Sequence, residues 1–240
     1  MVKKVIFFSC FLFLLIFINP VVFAESVTIQ AQQDSWIAQD HPTQNYGNDD
    51  VCYVGNFMDQ RLYESRTLIA FNLSAIPQGA TINDASLRVY LSYSSTERTI
   101  KMSLLKITRD WEESAVTWQN QPTASTLNIT YPVSRSLERS YITLDVTDTV
   151  KRWKNGTDVN NGVMIVGDLL ENGYAFDIKC KEDASLSPKL YVNYSLPVNL
   201  VINPNLNLFH DLNPTATPTL TLTPTPTPTP TSAPASGQQP

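Results

Sequence analysis

The sequence predicts an all-β protein, an antiparallel jelly-roll-like β-sandwich with one short helix, followed by a disordered tail rich in Thr and Pro. Short segments throughout residues 25–196 alternate apolar and polar side chains with a period of two. This is the pattern of strands that bury one face and expose the other. Turn sequences rich in Gly, Asn and Pro separate the segments. Nine short strands in about 170 residues favour a sandwich over a helical or α/β fold.

The alternation is clearest in three segments. Leu87, Val89 and Leu91 form an apolar face, and segments 176–180 and 190–194 repeat the pattern. The nine predicted strands, in chain order, are 27–32, 51–55, 68–73, 87–91, 100–107, 141–146, 163–167, 176–180 and 190–194.

One segment near residue 150 departs from the β pattern. Val150 and Trp153 are three residues apart, a spacing that puts both on one face of a helix. Asp148 can cap the start of this helix and Gly156 can end it. We therefore expect a helix of about two turns, which needs packing through Trp153 onto one end of the sandwich to be stable.

The first 24 residues have the composition of a secretory signal peptide. Lys3 and Lys4 precede a long apolar run, and small or β-branched residues lead up to Ala24. We expect cleavage after Ala24. The mature protein is then secreted or held at the cell surface, without insertion into the membrane.

Residues 197–240 differ in composition from the rest, and Thr-Pro repeats dominate the last part. Such a segment cannot bury a core and extends as a polyproline-like stalk. The sequence therefore predicts three parts: a signal peptide at 1–24, a sandwich domain at 25–196, and a linker with a Thr/Pro stalk at 197–240. The stalk offers a route of attachment to the cell envelope.

The charge of the chain excludes one class of partner. The formal net charge is −5, and removal of Lys3 and Lys4 with the signal peptide leaves 15 basic and 22 acidic residues, a net charge of −7. Since no basic run occurs, nucleic acid is not an expected partner.

Two cysteines, Cys52 and Cys180, lie outside the signal peptide. In an oxidising compartment they form one long-range disulfide, and the alternative is a pair of buried free thiols.

No pattern in the sequence specifies catalytic residues. Glu112 and Glu113 would need to face one bond at a separation of ~5–9.5 Å to act as the acid and base of a glycosidase. Neighbours on an extended segment point in opposite directions, so solvation or binding to backbone amides is the alternative interpretation. His41 lies in a loop, and nothing singles out a Ser, Cys or Asp partner for it.

A cluster of oxygen-bearing side chains follows the first predicted strand. It consists of Asp34, Asp40, Asn45 and Asp49, with Asp50 beside them. Loops of this composition hold Ca²⁺ in other proteins, although the spacing matches no EF-hand. The cluster predicts either a Ca²⁺ site or an ordinary solvated loop, and no other cofactor is expected.

A candidate binding patch follows from pairing residues 87–93 with residues 98–105 as a hairpin. The register that keeps apolar residues on one face sets Tyr90 opposite Lys101, and Arg88 lies nearby on the outer face. A sugar ring can stack on the tyrosine while a uronate or sulfate pairs with the two cations. The alternative is an ordinary amphipathic strand face.

Several motifs together resemble one known family. The most specific is the segment from Asp110 to Pro122, which contains Trp111-Glu112 and Val116-Thr117-Trp118. Others, in chain order, are Asp34-Ser35-Trp36-Ile37, Asn45-Tyr46-Gly47, the segments 68–73, 76–82 and 85–90, Leu144-Asp145-Val146-Thr147, Trp153, Gly156 and Pro188-Lys189-Leu190. In this order they resemble the DNRLRE (disaggregatase-related) domain, which overlaps carbohydrate-binding module family 96, across nearly all of residues 25–195.

The resemblance implies a jelly-roll-like sandwich found on secreted and surface proteins. Such domains accompany polysaccharide-degrading enzymes, and some relatives bind alginate-like acidic polymers. It also implies structural roles for Trp111, Trp118 and Trp153 as core anchors and for Asn45 and Gly47 as turn formers. We therefore expect a non-catalytic module that binds acidic extracellular or cell-envelope polysaccharide. The alternatives are a structural surface or matrix protein and a polysaccharide hydrolase or lyase.

Overall fold

The computed structural model describes residues 23–59, 61–95, 97–168 and 173–196. The predicted Thr/Pro tail and residues 1–22 of the predicted signal peptide lie outside them. The strands and helix are β1 (Phe23–Ala38), β2 (Val51–Asp59), β3 (Arg61–Phe71), β4 (Thr81–Ser94), β5 (Ile100–Ile107), β6 (Ala124–Val133), β7 (Ser140–Asp145), α1 (Thr147–Lys154), β8 (Val163–Val166), β9 (Ala175–Lys179) and β10 (Lys189–Leu196). Within these residues, no helix has the length and apolar character to cross a membrane.

The predicted antiparallel all-β fold is confirmed. Six strands, in the order β1, β10, β4, β9, β2 and β3, close into a ring because β3 also pairs with β1. β8, β5 and β6 extend this sheet from β3, and β7 pairs with β4. β1 can belong to two neighbours because its residues 23–30 pair with β10 and its residues 31–38 pair with β3, with a register shift between Ala31 and Gln33.

Two apolar clusters fill the interior. The larger contains the inward faces of β4 and β5, such as Leu87, Val89 and Met102. The smaller consists of Ile37, Leu68, Ile107, Val116 and Met164, with Trp111 and Trp118 packed against it. The alternation of the sequence therefore identified the buried faces correctly, since polar residues between these positions face outward.

The predicted hairpin between residues 87–93 and 98–105 is wrong. β4 pairs with β7, β10 and β9, whereas β5 pairs with β6 and β8. Tyr90 therefore lies opposite Tyr141, and Lys101 lies opposite Pro132. A period of two determines which face a residue occupies, but it does not determine which strand lies alongside.

The strand that the sequence did not reveal is β6, at the end of the strand order. Pro132 has no backbone N–H to donate to a neighbouring strand, and Asn128 has a φ of 55°. Both are tolerated because β6 pairs with β5 alone. An edge strand that is mostly exposed has little apolar alternation for a sequence pattern to show.

The predicted helix is present as α1, and Val150 and Trp153 are buried on one face as expected. Gly156 follows the helix with a φ of 75°, in the left-handed conformation that commonly ends helices. Asp148 is not the cap: the helix begins one residue earlier, and Asp148 lies in its first turn. The carboxylate of Asp145 accepts the Thr147 N–H instead, at 2.9 Å.

Candidate functional site

The three residues of the predicted binding patch do not all lie together. Arg88 and Tyr90 project from the outer side of β4, whereas Lys101 lies on β5, which is not a neighbour of β4. The companions of Arg88 and Tyr90 are instead side chains of β7 and β10. We therefore remove Lys101 from the patch.

The outer side of β7, β4 and β10 presents tyrosines around one guanidinium. The centre of the Arg88 guanidinium lies 3.9 Å from the ring centroid of Tyr141 and 5.9 Å from that of Tyr191. The rings of Tyr90 and Tyr141 meet edge to face, with centroids 5.1 Å apart. Lys189 lies opposite Arg88 in the strand register. We call Arg88, Tyr90, Tyr141, Lys189 and Tyr191 the tyrosine–arginine face.

The cations of this face are not neutralised by the described part of the chain. No carboxylate within that part forms an ion pair with Arg88, whose guanidinium lies near the rings of Tyr141 and Tyr191. Lys189 donates to the Ser185 carbonyl at 3.3 Å. Because stacking uses the plane of a guanidinium, its N–H donors stay available in that plane. The face can thus offer donors to an anionic group beside aromatic rings.

Nothing in the sequence pattern indicated that Tyr141, Tyr191 and Lys189 belong with Arg88. The alternation did place Tyr141 and Tyr191 on the outer side of two predicted strands. Adjacency of those strands to β4 depends on long-range pairing between residues about 50 and 100 positions apart in the chain, which local periodicity does not encode.

The segment containing Trp111 and Trp118 forms a loop that is tied to β1. Glu113 Oε1 accepts the Asp34 N–H at 2.8 Å, and Asn45 Nδ2 donates to the carbonyls of Glu113 and Val116, both at 2.7 Å. A Cβ at Gly47 would lie 2.4 Å from the Glu113 carbonyl oxygen, so a side chain cannot fit there. Binding of Glu113 to a backbone amide agrees with the structural interpretation of the Glu112–Glu113 pair.

The four predicted metal ligands do not converge. Asp49 accepts the Trp36 indole N–H at 2.9 Å, and Asp40 contacts His41 at 3.1 Å. Asn45 Oδ1, the atom that would bind a cation, accepts the Gly47 N–H at 3.3 Å. Of the four, Asp34 alone belongs to a described group of three ligand-type side chains. Asp34, Asp40 and Asp49 do not form one group of ligand-type side chains in the described residues, and binding of Ca²⁺ by this loop stays a prediction.

Asp34 lies at the centre of a buried polar cluster. Its Oδ2 accepts the Lys181 N–H at 2.7 Å, and Glu113 and Glu182 lie beside it. Lys181 Nζ, 3.2 Å from Glu113 Oε1, also contacts Glu182, so one cation of the chain is already paired with two of the three carboxylates. The cysteines Cys52 and Cys180 adjoin Asp34 and are joined as a disulfide, the first of the two alternatives stated for them.

Burial raises the pKa of Asp34 from its ordinary value of 3.8 to about 7, and the neighbouring carboxylates add to the shift. Because the folded protein then holds this proton at pH values where the unfolded chain has lost it, the contribution of Asp34 to stability is largest below about pH 4 and is lost as the pH rises through 7. We expect Asp34→Asn to flatten the fall in stability between pH 4 and 8, measured by urea unfolding across this range.

Asp177 provides the control for this measurement. Burial raises its pKa to about 6, so Asp177 lowers the stability of the fold as the pH rises from about 4 to 6. Asp177→Asn should remove this contribution and leave the decrease in stability near pH 7 unchanged. Unchanged pH dependence in Asp34→Asn would show that this carboxyl is ionised in the folded protein at neutral pH.

A cleft of about 790 Å³ lies between β6, β4 and the start of α1. Three charged side chains that line the cleft pair with one another: Asp158 contacts Lys106 at 2.8 Å and Arg152 at 2.6 Å. The Arg152 and Lys106 hydrogen bonds hold the pKa of Asp158 at about 2. Since no aromatic ring lines the cleft, it lacks the stacking surface that the tyrosine–arginine face provides.

Comparison with known proteins adds one match. Residues 25–194 match the sequence model of a family described as carbohydrate-binding module family 96. No curated protein matches the chain.

Proposed function

Because the chain belongs to carbohydrate-binding module family 96, we propose that it is a secreted or surface-attached, non-catalytic module that binds acidic extracellular or cell-envelope polysaccharide. The proposed contact surface is the tyrosine–arginine face. Membership of the family supports a carbohydrate ligand, and the cations of the face support an acidic one.

The observation that supports an acidic ligand is the environment of the Arg88 guanidinium. Its guanidinium lies over the Tyr141 ring at 3.9 Å, with the Tyr191 ring 5.9 Å away, and it has no carboxylate partner in the described residues. A planar guanidinium held in this way can donate two parallel hydrogen bonds to a uronate carboxylate or a sulfate. The rings of Tyr90 and Tyr141 can pack against the C–H faces of adjoining sugars.

The positive charge that contacts the acidic ligand in this proposal is confined to the tyrosine–arginine face. The whole chain is acidic, with a net charge of −5, so long-range attraction to a polyanion is absent and the contact must be made by the face itself. Of the nearby acids on the same outer side, Asp84 accepts from Asn193 and Asp145 from the Thr147 N–H. Each of these carboxylates therefore has a hydrogen-bond partner other than Arg88.

Arg88→Ala is expected to weaken binding to a soluble polyuronate by about tenfold or more, because a hydrogen bond between charged groups contributes ~1.5–3 kcal/mol. Affinity electrophoresis in gels containing the polymer measures this as a loss of retardation. Lys101→Ala is the matched control, since it removes the same charge from β5, outside the face, and should bind as the unaltered protein does.

Three results would contradict the proposal. Equal losses in Arg88→Ala and Lys101→Ala would mean that the face is not the contact surface. Absence of polyuronate binding by the folded protein, together with self-assembly or envelope attachment, would favour a structural surface protein. New reducing ends or unsaturated products after incubation with the polymer would identify a hydrolase or lyase.

A further inference from the structure

A second aromatic surface lies across β1, β2, β9 and β4. Trp36 stacks on Tyr46 with ring centroids 3.8 Å apart, and it meets the ring of Tyr53 at 4.8 Å in an edge-to-face contact. Strand pairing sets Asp177 of β9 opposite Tyr53 on one side and opposite Tyr93 on the other. We call Trp36, Tyr46, Tyr53, Tyr93 and Asp177 the acidic aromatic band.

The band contains an opening beside an unpaired carboxylate oxygen. Tyr53, Tyr93 and Asp177 help to line a cavity of about 90 Å³ whose accessible wall is apolar. Tyr93 is 50% exposed, unusually high for a large aromatic side chain in the described residues. Asp177 Oδ1 is buried and has no hydrogen-bond partner there. A cation held against the tyrosine rings at this cavity would be attracted by the charge of the carboxylate behind the wall.

The surroundings of the band are negative. The pKa values of Tyr46 and Tyr53 are raised first by burial and then by carboxylates, Asp40 and Asp49 for Tyr46 and Asp177, Asp49 and Asp50 for Tyr53. The cation that flanks Asp177, Lys179, already contacts Asp50 and Asp183, each at 3.4 Å. Tyrosine and tryptophan faces attract cations, and nearby carboxylates strengthen that attraction.

We infer that the acidic aromatic band is a second binding site, and that it takes an ammonium-bearing saccharide such as a chain of hexosamines with free amines. The ammonium lies at the mouth of the cavity, against the rings of Tyr53 and Tyr93, where the negative charge of Asp177 beneath the apolar wall attracts it. The apolar face of an adjoining sugar packs on the exposed ring of Tyr93. This site is opposite in charge to the tyrosine–arginine face, and it rests on the family's carbohydrate binding but not on the acidic ligand proposed above.

The test is calorimetric titration of the purified protein at about pH 6.5, above the pKa of Asp177, with a glucosamine hexamer and with its N-acetylated counterpart. We expect the free-amine hexamer to bind about tenfold more tightly, since the acetylated amine carries no charge. Asp177→Asn, which keeps the side-chain shape, should abolish this preference. Tyr93→Ala should weaken binding of both hexamers.

Two control variants test whether the preference belongs to this site. Asp148→Asn removes one negative charge from an exposed position on α1, and it should leave the preference unchanged if the effect is not merely one of net charge. Arg88→Ala should also leave it unchanged while losing polyuronate binding, so that failure of one site is distinguishable from failure of the other. Equal affinity for the two hexamers, no binding of either, or equal losses in Asp177→Asn and Asp148→Asn would overturn the inference.

Discussion

Reduction of the Cys52–Cys180 disulfide is expected to lower the free energy of unfolding by about 3–5 kcal/mol. The two cysteines are 128 positions apart, so the bond closes a loop that spans more than half of the chain. Cross-linking restricts the unfolded chain more as the closed loop lengthens. Within the fold, the bond joins the start of β2 to the residue after β9, two strands that pair in the ring. Urea unfolding with and without a thiol reductant measures the effect.

The double variant Cys52→Ala, Cys180→Ala provides the control. Its free energy of unfolding should equal that of the reduced protein, apart from the small loss caused by removing two buried sulfur atoms. The reductant should have no further effect on it. Both cysteines are almost fully buried, so alanine avoids placing new hydroxyl groups in the core. Equal stability of the oxidised and reduced proteins would contradict the expectation, and it would mean that the pairing of β2 with β9 holds these ends together without the bond.

Local patterns predicted the elements of this fold well, because each strand displays its own burial in its own residues. Segment 100–107 was predicted with the bounds that the structure shows for β5. The strands β7, β8 and β9 agree with the prediction to within one residue at each end. Several strands are longer than predicted, such as β1, which extends from Phe23 to Ala38. Its second half is irregular in the sequence because Asp34 and Ser35 are both buried. Asp34 binds the 110–118 loop and the segment after β9.

The binding surface was predicted only in part, for a reason of topology. Arg88 and Tyr90 were found from the outer face of one strand, while their companions Tyr141 and Tyr191 arrive from strands far along the chain. Lys101 was included because residues close in sequence favour a hairpin. In the structure, the chain leaves β4 at Ser94 and enters β5 in a different part of the sheet. The shared core of the two strands satisfies the same alternation that a hairpin would require.

Trp153→Ala is expected to lower the free energy of unfolding by about 3–5 kcal/mol, the range for removing a large aromatic side chain from a core. Trp153 is 8% exposed and belongs to the main apolar cluster. The helix that presents it has only eight residues and depends on this contact for its stability. Lys154 Nζ donates to the Ile76 carbonyl at 2.7 Å, which holds the end of the helix on the neighbouring turn. Loss of the indole should therefore also loosen that turn, measurable by hydrogen exchange.

Trp153→Phe separates ring packing from the polar atom of the indole. Trp153 Nε1 is buried without a hydrogen-bond partner in the described residues, and an unpaired buried N–H costs about 1–3 kcal/mol. Phenylalanine leaves a small void but removes this N–H, so the two effects oppose each other. We expect Trp153→Phe to change the free energy of unfolding by less than about 1.5 kcal/mol. A loss as large as that of Trp153→Ala would mean that the indole N–H has a partner in solution, such as a bound water, and that the polar atom contributes to the anchor.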